Sequence, residues 1–200
     1  MENDGRKAYT AFEGHRLLAT GDLINVALEA KAASDREGAA RVLLFRDDTG
    51  KAFDLNYRGT PEEVRERIAR EIDDRREADR EPSGPKGPGR PRLGVVAREV
   101  TLLPRHWEWL NDQPGGASVA LRKLVEEARK ANEGPDRVRK AREAAYHFLL
   151  HMGGDLPGFE EATRSLFAGH RERFDEQIEG WPADVRDHAR KLAAPSFDPA

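Results

Sequence analysis

The chain has 200 residues, 38% of them apolar and 36% charged, with a net charge of -3 and a mean hydropathy of -0.80. Those values fit one or two domains with modest cores, and no apolar run approaches the roughly 18 residues of a membrane helix. The absence of cysteine excludes disulfides, thiolate zinc sites and cysteine nucleophiles. Because the first residues also lack the apolar centre of a secretory signal, a cytoplasmic protein is expected.

The first elements read as a small α+β domain over residues 1–72, in the order ββαββα. Tyr9–Glu13 and Arg16–Thr20 flank Gly14-His15, a short-hairpin pattern. Asp22 predicts an N-cap for a helix over Leu23–Ser34, with Leu23, Val26, Ala27 and Ala30 on one side. Val42–Phe45 is a continuous apolar run, expected of a strand covered on both faces. Beyond the turn residues Asp48–Lys51, a second strand alternates, with Phe53, Leu55 and Tyr57 inward and Asp54 and Asn56 outward. Thr60-Pro61-Glu62-Glu63 is a capping box with proline at the first helical position, followed by Val64, Ile68 and Ile72.

Residues 73–97 read as a linker, mixed in charge and then rich in proline and glycine. Residues 98–132 read as a strand followed by two amphipathic helices, divided at Pro114-Gly115-Gly116. A helical region spans 135–193, opening on a stripe of Ala141, Ala144, Ala145, Phe148, Leu149 and Met152. Three shorter helices follow it, and residues 194–200 read as a frayed tail.

Charge is distributed unevenly over these parts. Residues 1–81 carry 15 basic and 19 acidic side chains, residues 82–142 carry 13 and 7, and residues 143–200 carry 6 and 11. A basic block inside an acidic chain points to a polyanion partner, with the solvation of helix surfaces as the plain alternative. The acidic C-terminal helices offer a surface for a protein partner.

Within the basic block, Val100 and Leu102 alternate with Glu99 and Thr101, Pro104 opens the helix of Trp107 and Leu110, and the second helix carries Val119, Leu121, Leu124, Val125 and Ala128. This order, with the glycine turn and with Ser118 four residues before Arg122, resembles the ribbon-helix-helix family of DNA-binding proteins. The resemblance implies a homodimer whose paired strands turn outward side chains to base edges, while the second helix offers backbone N–H groups to a phosphate. Carried onto this chain, the readers are Glu99 and Thr101, with Arg98 at the start of the strand. The phosphate-facing turn is Gly116, Ala117 and Ser118. An outward Glu99 departs from that pattern, because a carboxylate repels phosphates and accepts only from a cytosine amino group. A shift of one residue would instead expose Arg98, Val100 and Leu102.

Ahead of this unit, Lys86-Gly-Pro-Gly-Arg90-Pro91-Arg92 resembles an AT-hook, whose Gly-Arg-Pro centre lies in a narrow minor groove. Pro88 stands where such a hook has its first arginine, and a solvated linker is the alternative. Arg122 and Lys123 add cations on the second helix.

His147 and His151, four apart on a helix, have the spacing of zinc ligands. Phe148 stands where a metalloprotease helix needs its glutamate, so surface or hydrogen-bonded histidines are the stronger reading. With no phosphate loop, nucleophile elbow or spaced carboxylates, neither an enzyme nor a cofactor is expected. As a whole the chain resembles an uncharacterised bacterial family in YTAFEGH, GRPRLGVVAREVTLLPRHWEWL, PGGASVALRKLVEEAR and GDLPGFEEATRSLFAG, and that resemblance implies no activity. The expectation is a homodimeric DNA-binding regulator or DNA-associated protein. The alternative is a dimeric protein-interaction module, antitoxin-like or a scaffold, that reads no bases.

Overall fold

The computed structural model describes residues 8–38, 40–79 and 98–198. Strands β1 (Tyr9–Glu13) and β2 (Arg16–Gly21) form an antiparallel hairpin. Its turn uses Gly14 at φ 55, a conformation open to a residue without Cβ. Helix α1 (Leu23–Ser34) starts at Asp22, whose carboxylate accepts from the Asn25 amide at 3.1 Å. Strand β3 (Val42–Arg46) then pairs with β1, and the two-residue β4 (Ala52–Phe53) pairs with β3. The sheet is antiparallel throughout, in the order β2-β1-β3-β4.

The second alternating strand expected from sequence is cut short. Burial still alternates from Phe53 to Tyr57, but the ladder stops at Phe53. Side chains take up the backbone carbonyls beyond it. The Arg67 guanidinium donates to Asn56 O at 2.6 Å and Arg58 O at 2.9 Å, and Lys31 donates to Tyr57 O at 3.2 Å. At the opposite edge the Leu17 amide donates to Asp184 Oδ2 at 2.8 Å. Side chains of the same molecule thus engage the backbone just beyond β4 and one amide of the edge strand β2.

Helix α2 (Pro61–Asp79) has the reciprocal capping box of its sequence: Thr60 N donates to Glu63 Oε2 at 2.9 Å, and Glu63 N donates to Thr60 Oγ1 at 3.3 Å. The helix runs on through residue 79, because the charged run after Ile72 includes arginine, glutamate and alanine and holds no proline or glycine.

Because β1 and β3 lie inside the sheet, successive side chains enter two different cores. Ala11 and Leu44, opposite each other in the ladder, pack with Val26 and Ala30 of α1. Leu23 and Ala27 of α1 in turn pack with Val64 and Ile68 of α2. On the other face, Phe12 and Phe45 join the helices that end the chain. After α3 (Pro104–Asn111) and α4 (Gly116–Ala131) in chain order, these are α5 (Glu133–Met152), α6 (Phe159–Ala168), α7 (Arg171–Ile178) and α8 (Ala183–Ala193). Phe148 of α5 is the hub of this second core, with ring centroids 5.5 Å from Phe12, 5.0 Å from Phe45 and 4.7 Å from His188 of α8.

The chain accordingly divides into two compact units, one made of Met1–Ala78 with Gly134–Ala200, the other of Asp79–Glu133. Sequence reasoning assigned 1–72 and 135–193 to separate regions; they share the Phe12–Phe45–Phe148 core. Residues 194–197, expected to fray, also pack. A 3-10 turn (Ala194–Ser196) buries Ser196, and the Phe197 ring lies 5.6 Å from that of Phe174.

The turn between β3 and β4 is pressed against α5. Gly50 adopts φ 62, and a Cβ there would lie 1.8 Å from Ala144 O. The neighbouring Thr49 carbonyl lies 2.9 Å from His147 Nδ1. A carbonyl only accepts, so Nδ1 of this histidine carries the proton.

Candidate nucleic-acid interface

The expected interface lies in the Asp79–Glu133 unit, whose described helices are α3 and α4. Pro104 occupies the first turn of α3, where its fixed φ and missing N–H do no harm. The turn into α4 runs through Gly115 at φ 89 and Gly116 at φ 77. A Cβ on Gly115 would also meet the Val119 side chain at 3.2 Å, so both backbone and packing favour glycine there.

Few of the described side chains of this unit are buried. Leu110 and Ala120 are, whereas Val100, Leu103, Trp107, Trp109, Leu124 and Val125 are large apolar residues exposed to solvent. An apolar groove of about 420 Å³ runs along the helix pair, walled by Leu102, Trp109, Leu110, Leu121 and Leu124, with Arg105 and His106 also in its lining. Two short helices with so small a core bury too little to stand alone.

Residues 98–103 form no strand in the single chain. The expected strand is missing for a simple reason. A ladder needs a hydrogen-bonded neighbour, and among the described residues no segment pairs with this one. Arg98, Glu99, Val100 and Thr101 are exposed, whereas Leu102 is half-buried. On α4, Ser118, Arg122 and Lys123 are exposed, and Gly116 and Ala117 are half-buried. The Gly116 amide donates to Gln113 O at 2.8 Å, so it is withdrawn from the anion-facing role expected of it. Ala117 and Ser118 remain in the first turn, where amides have no intrahelical acceptor. Among the described residues, Arg98, Arg122 and Lys123 enter no ion pair. The carboxylate of Glu126 is instead taken by Arg129 at 2.8 Å, and these hydrogen bonds hold its pKa below the usual glutamate value. Lys86, Arg90 and Arg92 of the hook-like leader lie outside the described residues.

The two histidines of the zinc-like pair are engaged elsewhere. His147 is hydrogen-bonded to the Thr49 carbonyl, and the His151 ring is edge-on to Phe45 at 6.0 Å. Asp155 is exposed. Among the described residues, no group of three or more histidine and carboxylate side chains could hold a metal ion. Nor is any described helix long and apolar enough to cross a membrane.

Sequence reasoning missed a polar cluster formed by Thr10, Asp47, His188 and Lys191. Its members are up to 181 residues apart in sequence, and none stands in a local pattern that would single it out. It also missed Arg105 and His106 in the groove lining.

These features define an α+β protein with a four-stranded antiparallel sheet, mostly helical otherwise, and with a separate helix pair whose apolar face is uncovered. The chain belongs to a family described as uncharacterised proteins conserved in bacteria, DUF2239, whose match spans residues 8–193. No curated protein and no solved structure matches it.

Proposed function

We propose that residues 98–132 pair with a second copy of the chain as a ribbon-helix-helix unit, and that this dimer binds duplex DNA as a bacterial regulator or DNA-associated protein. The observation that carries the reading is the unpaired segment 98–103 beside an uncovered apolar groove. Leu102 sits in the wall of that groove with Leu110, Leu121 and Leu124. Strand alternation then turns Thr101 and Glu99 away from the helices, which favours the register with those two outward. The exposed cations Arg98, Arg122 and Lys123, with Lys86, Arg90 and Arg92 of the leader, supply attraction to phosphates.

Affinity for duplex DNA should fall with salt, with a logarithmic slope of about 0.9 for each phosphate neutralised. Fluorescence anisotropy with a mixed-sequence duplex measures it. Combined replacement of Arg98, Arg122 and Lys123 by alanine should flatten the slope by about three per chain if each contacts one phosphate. A duplex that is not bound even at low salt, by a chain that does dimerise, contradicts the DNA reading. It would leave the second reading, a dimeric protein-interaction module. The exposed carboxylate of Glu99 on the outward face favours that alternative.

A further inference from the structure

A cluster of polar groups joins the sheet to α8. Thr10 Oγ1 of β1 donates to Asp47 Oδ1 at 2.7 Å, and Lys191 Nζ of α8 donates to Asp47 Oδ2 at 2.8 Å. Thr10 is fully buried, and the Asp47 side chain is 10% exposed. His188, one helical turn before Lys191, places Nε2 3.7 Å from Asp47 Oδ1, beyond hydrogen-bonding distance. That nitrogen has no hydrogen-bond partner, although the residue is only 5% exposed. The imidazole is edge-on to Phe12 at 5.6 Å and to Phe148 at 4.7 Å.

We propose that Thr10, Asp47, His188 and Lys191 form a proton-operated latch between the sheet and α8, closed while His188 is neutral and released by acid. The latch does not depend on the DNA reading.

The ring sits among aromatic side chains that offer an imidazolium little solvation. The nearest counter-charge is already engaged, one oxygen by the Thr10 hydroxyl and the other by the Lys191 ammonium. On α8 itself Asp184 accepts from the Leu17 amide, Arg186 pairs with Asp187, and Arg190 pairs with Asp175 and Glu179. Arg46 pairs with Asp48 at 2.9 Å, His147 holds the Thr49 carbonyl, and His151 packs on Phe45. Burial is the largest influence on His188. Attraction to Asp47 opposes it and repulsion from Lys191 adds to it, and the result is a pKa pushed down from 6.5 to about 4.

An opened α8 exposes the ring to water, where it takes a proton at the ordinary histidine value. The open form therefore binds more protons than the closed one between those two values. Above pH about 6.5 the opening equilibrium is flat, and below it opening rises about tenfold per pH unit.

Hydrogen exchange of the amides of Ala183–Ala193 in the full chain tests this, read as protection corrected for intrinsic exchange between pH 7 and 4.5. In the unsubstituted chain, protection should fall about tenfold per unit below pH 6.5. The change should be absent in His188→Gln, which keeps a polar side chain without a titrating ring. Flat protection in the unsubstituted chain overturns the latch, as does an equally steep fall in His188→Gln. A fall that persists in His188→Gln and vanishes in Asp47→Asn makes the carboxylate the trigger, and also overturns it. If His188→Gln does not fold, proton NMR of the unsubstituted chain decides. A His188 ring still neutral at pH 5.5 supports the latch, and one titrating near 6.5 overturns it.

Discussion

Replacing Phe148 with alanine should lower the unfolding free energy of the unit that contains the sheet by about 3–5 kcal/mol, the range for emptying a buried aromatic site. The ring is fully buried and touches side chains from three elements: Phe12 of β1, Phe45 of β3 and His188 of α8. Its neighbours are held in the packed sheet and helix layers, so relaxation recovers only part of the loss. The comparison is Leu150→Ala, two residues along the same helix and 50% exposed, which should change stability by no more than about 0.5 kcal/mol. Urea unfolding followed by the fluorescence of the buried Trp181, in a background with Trp107 and Trp109 replaced by phenylalanine, reads the sheet-containing unit alone. Equal midpoints for the two variants would mean that α5 is not the hub of this core.

The second large effect is expected at a turn rather than in the core. Gly50→Ala should cost about 2–5 kcal/mol, from a left-handed backbone and from overpacking against α5. Because the obstructing atom is the backbone oxygen of Ala144 at 1.8 Å, no rotamer change relieves the contact. The β3–β4 turn would have to lift from the helix and give up the His147 contact to Thr49. Gly38→Ala separates the two contributions. Its φ is 72 with nothing within 4 Å of the added Cβ, so only the backbone cost of about 1–2 kcal/mol applies. A Gly50→Ala loss no larger than that of Gly38→Ala, on the same unfolding assay, would show that the turn does not bear on α5.

Both substitutions fall at a junction that sequence patterns do not disclose. What was legible was local chemistry. Gly14-His15 marks the hairpin, Asp22 caps α1, and Thr60 with Glu63 closes the capping box, because each depends on residues within a few positions. The apolar run Val42–Phe45 also disclosed that β3 is covered on both faces. It could not disclose by what. Alternation shows that Phe12 and Phe45 need a cover, and the helical stripe shows that Ala145, Phe148 and Leu149 need one too. Nothing in either pattern says that each covers the other, 100 or more residues away. The polar cluster at Asp47 escaped for the same reason.

At the candidate interface, proline and glycine marked the boundaries of α3 and α4 well, since both residues act on the backbone directly. The strand before them behaved differently. A strand is a relation between two segments, and one chain supplies a single copy. Alternation in residues 98–102 therefore states a capacity to pair. The exposure of Val100, Leu103, Trp107, Trp109, Leu124 and Val125 shows how much apolar surface such pairing could cover. In such a dimer the helix pair would gain most of its stability through the second copy, and the proposed DNA binding would rest on the cations that the dimer aligns.

Light scattering on the full chain tests that pairing most directly. The expected mass is twice the 22.4 kDa of one chain at about 10–100 µM, reduced to one chain by Leu124→Asp, which would bury an unpaired carboxylate at the seam. A mass of 22.4 kDa for the unsubstituted chain across that range, or a dimer indifferent to Leu124→Asp, would contradict pairing through residues 98–132.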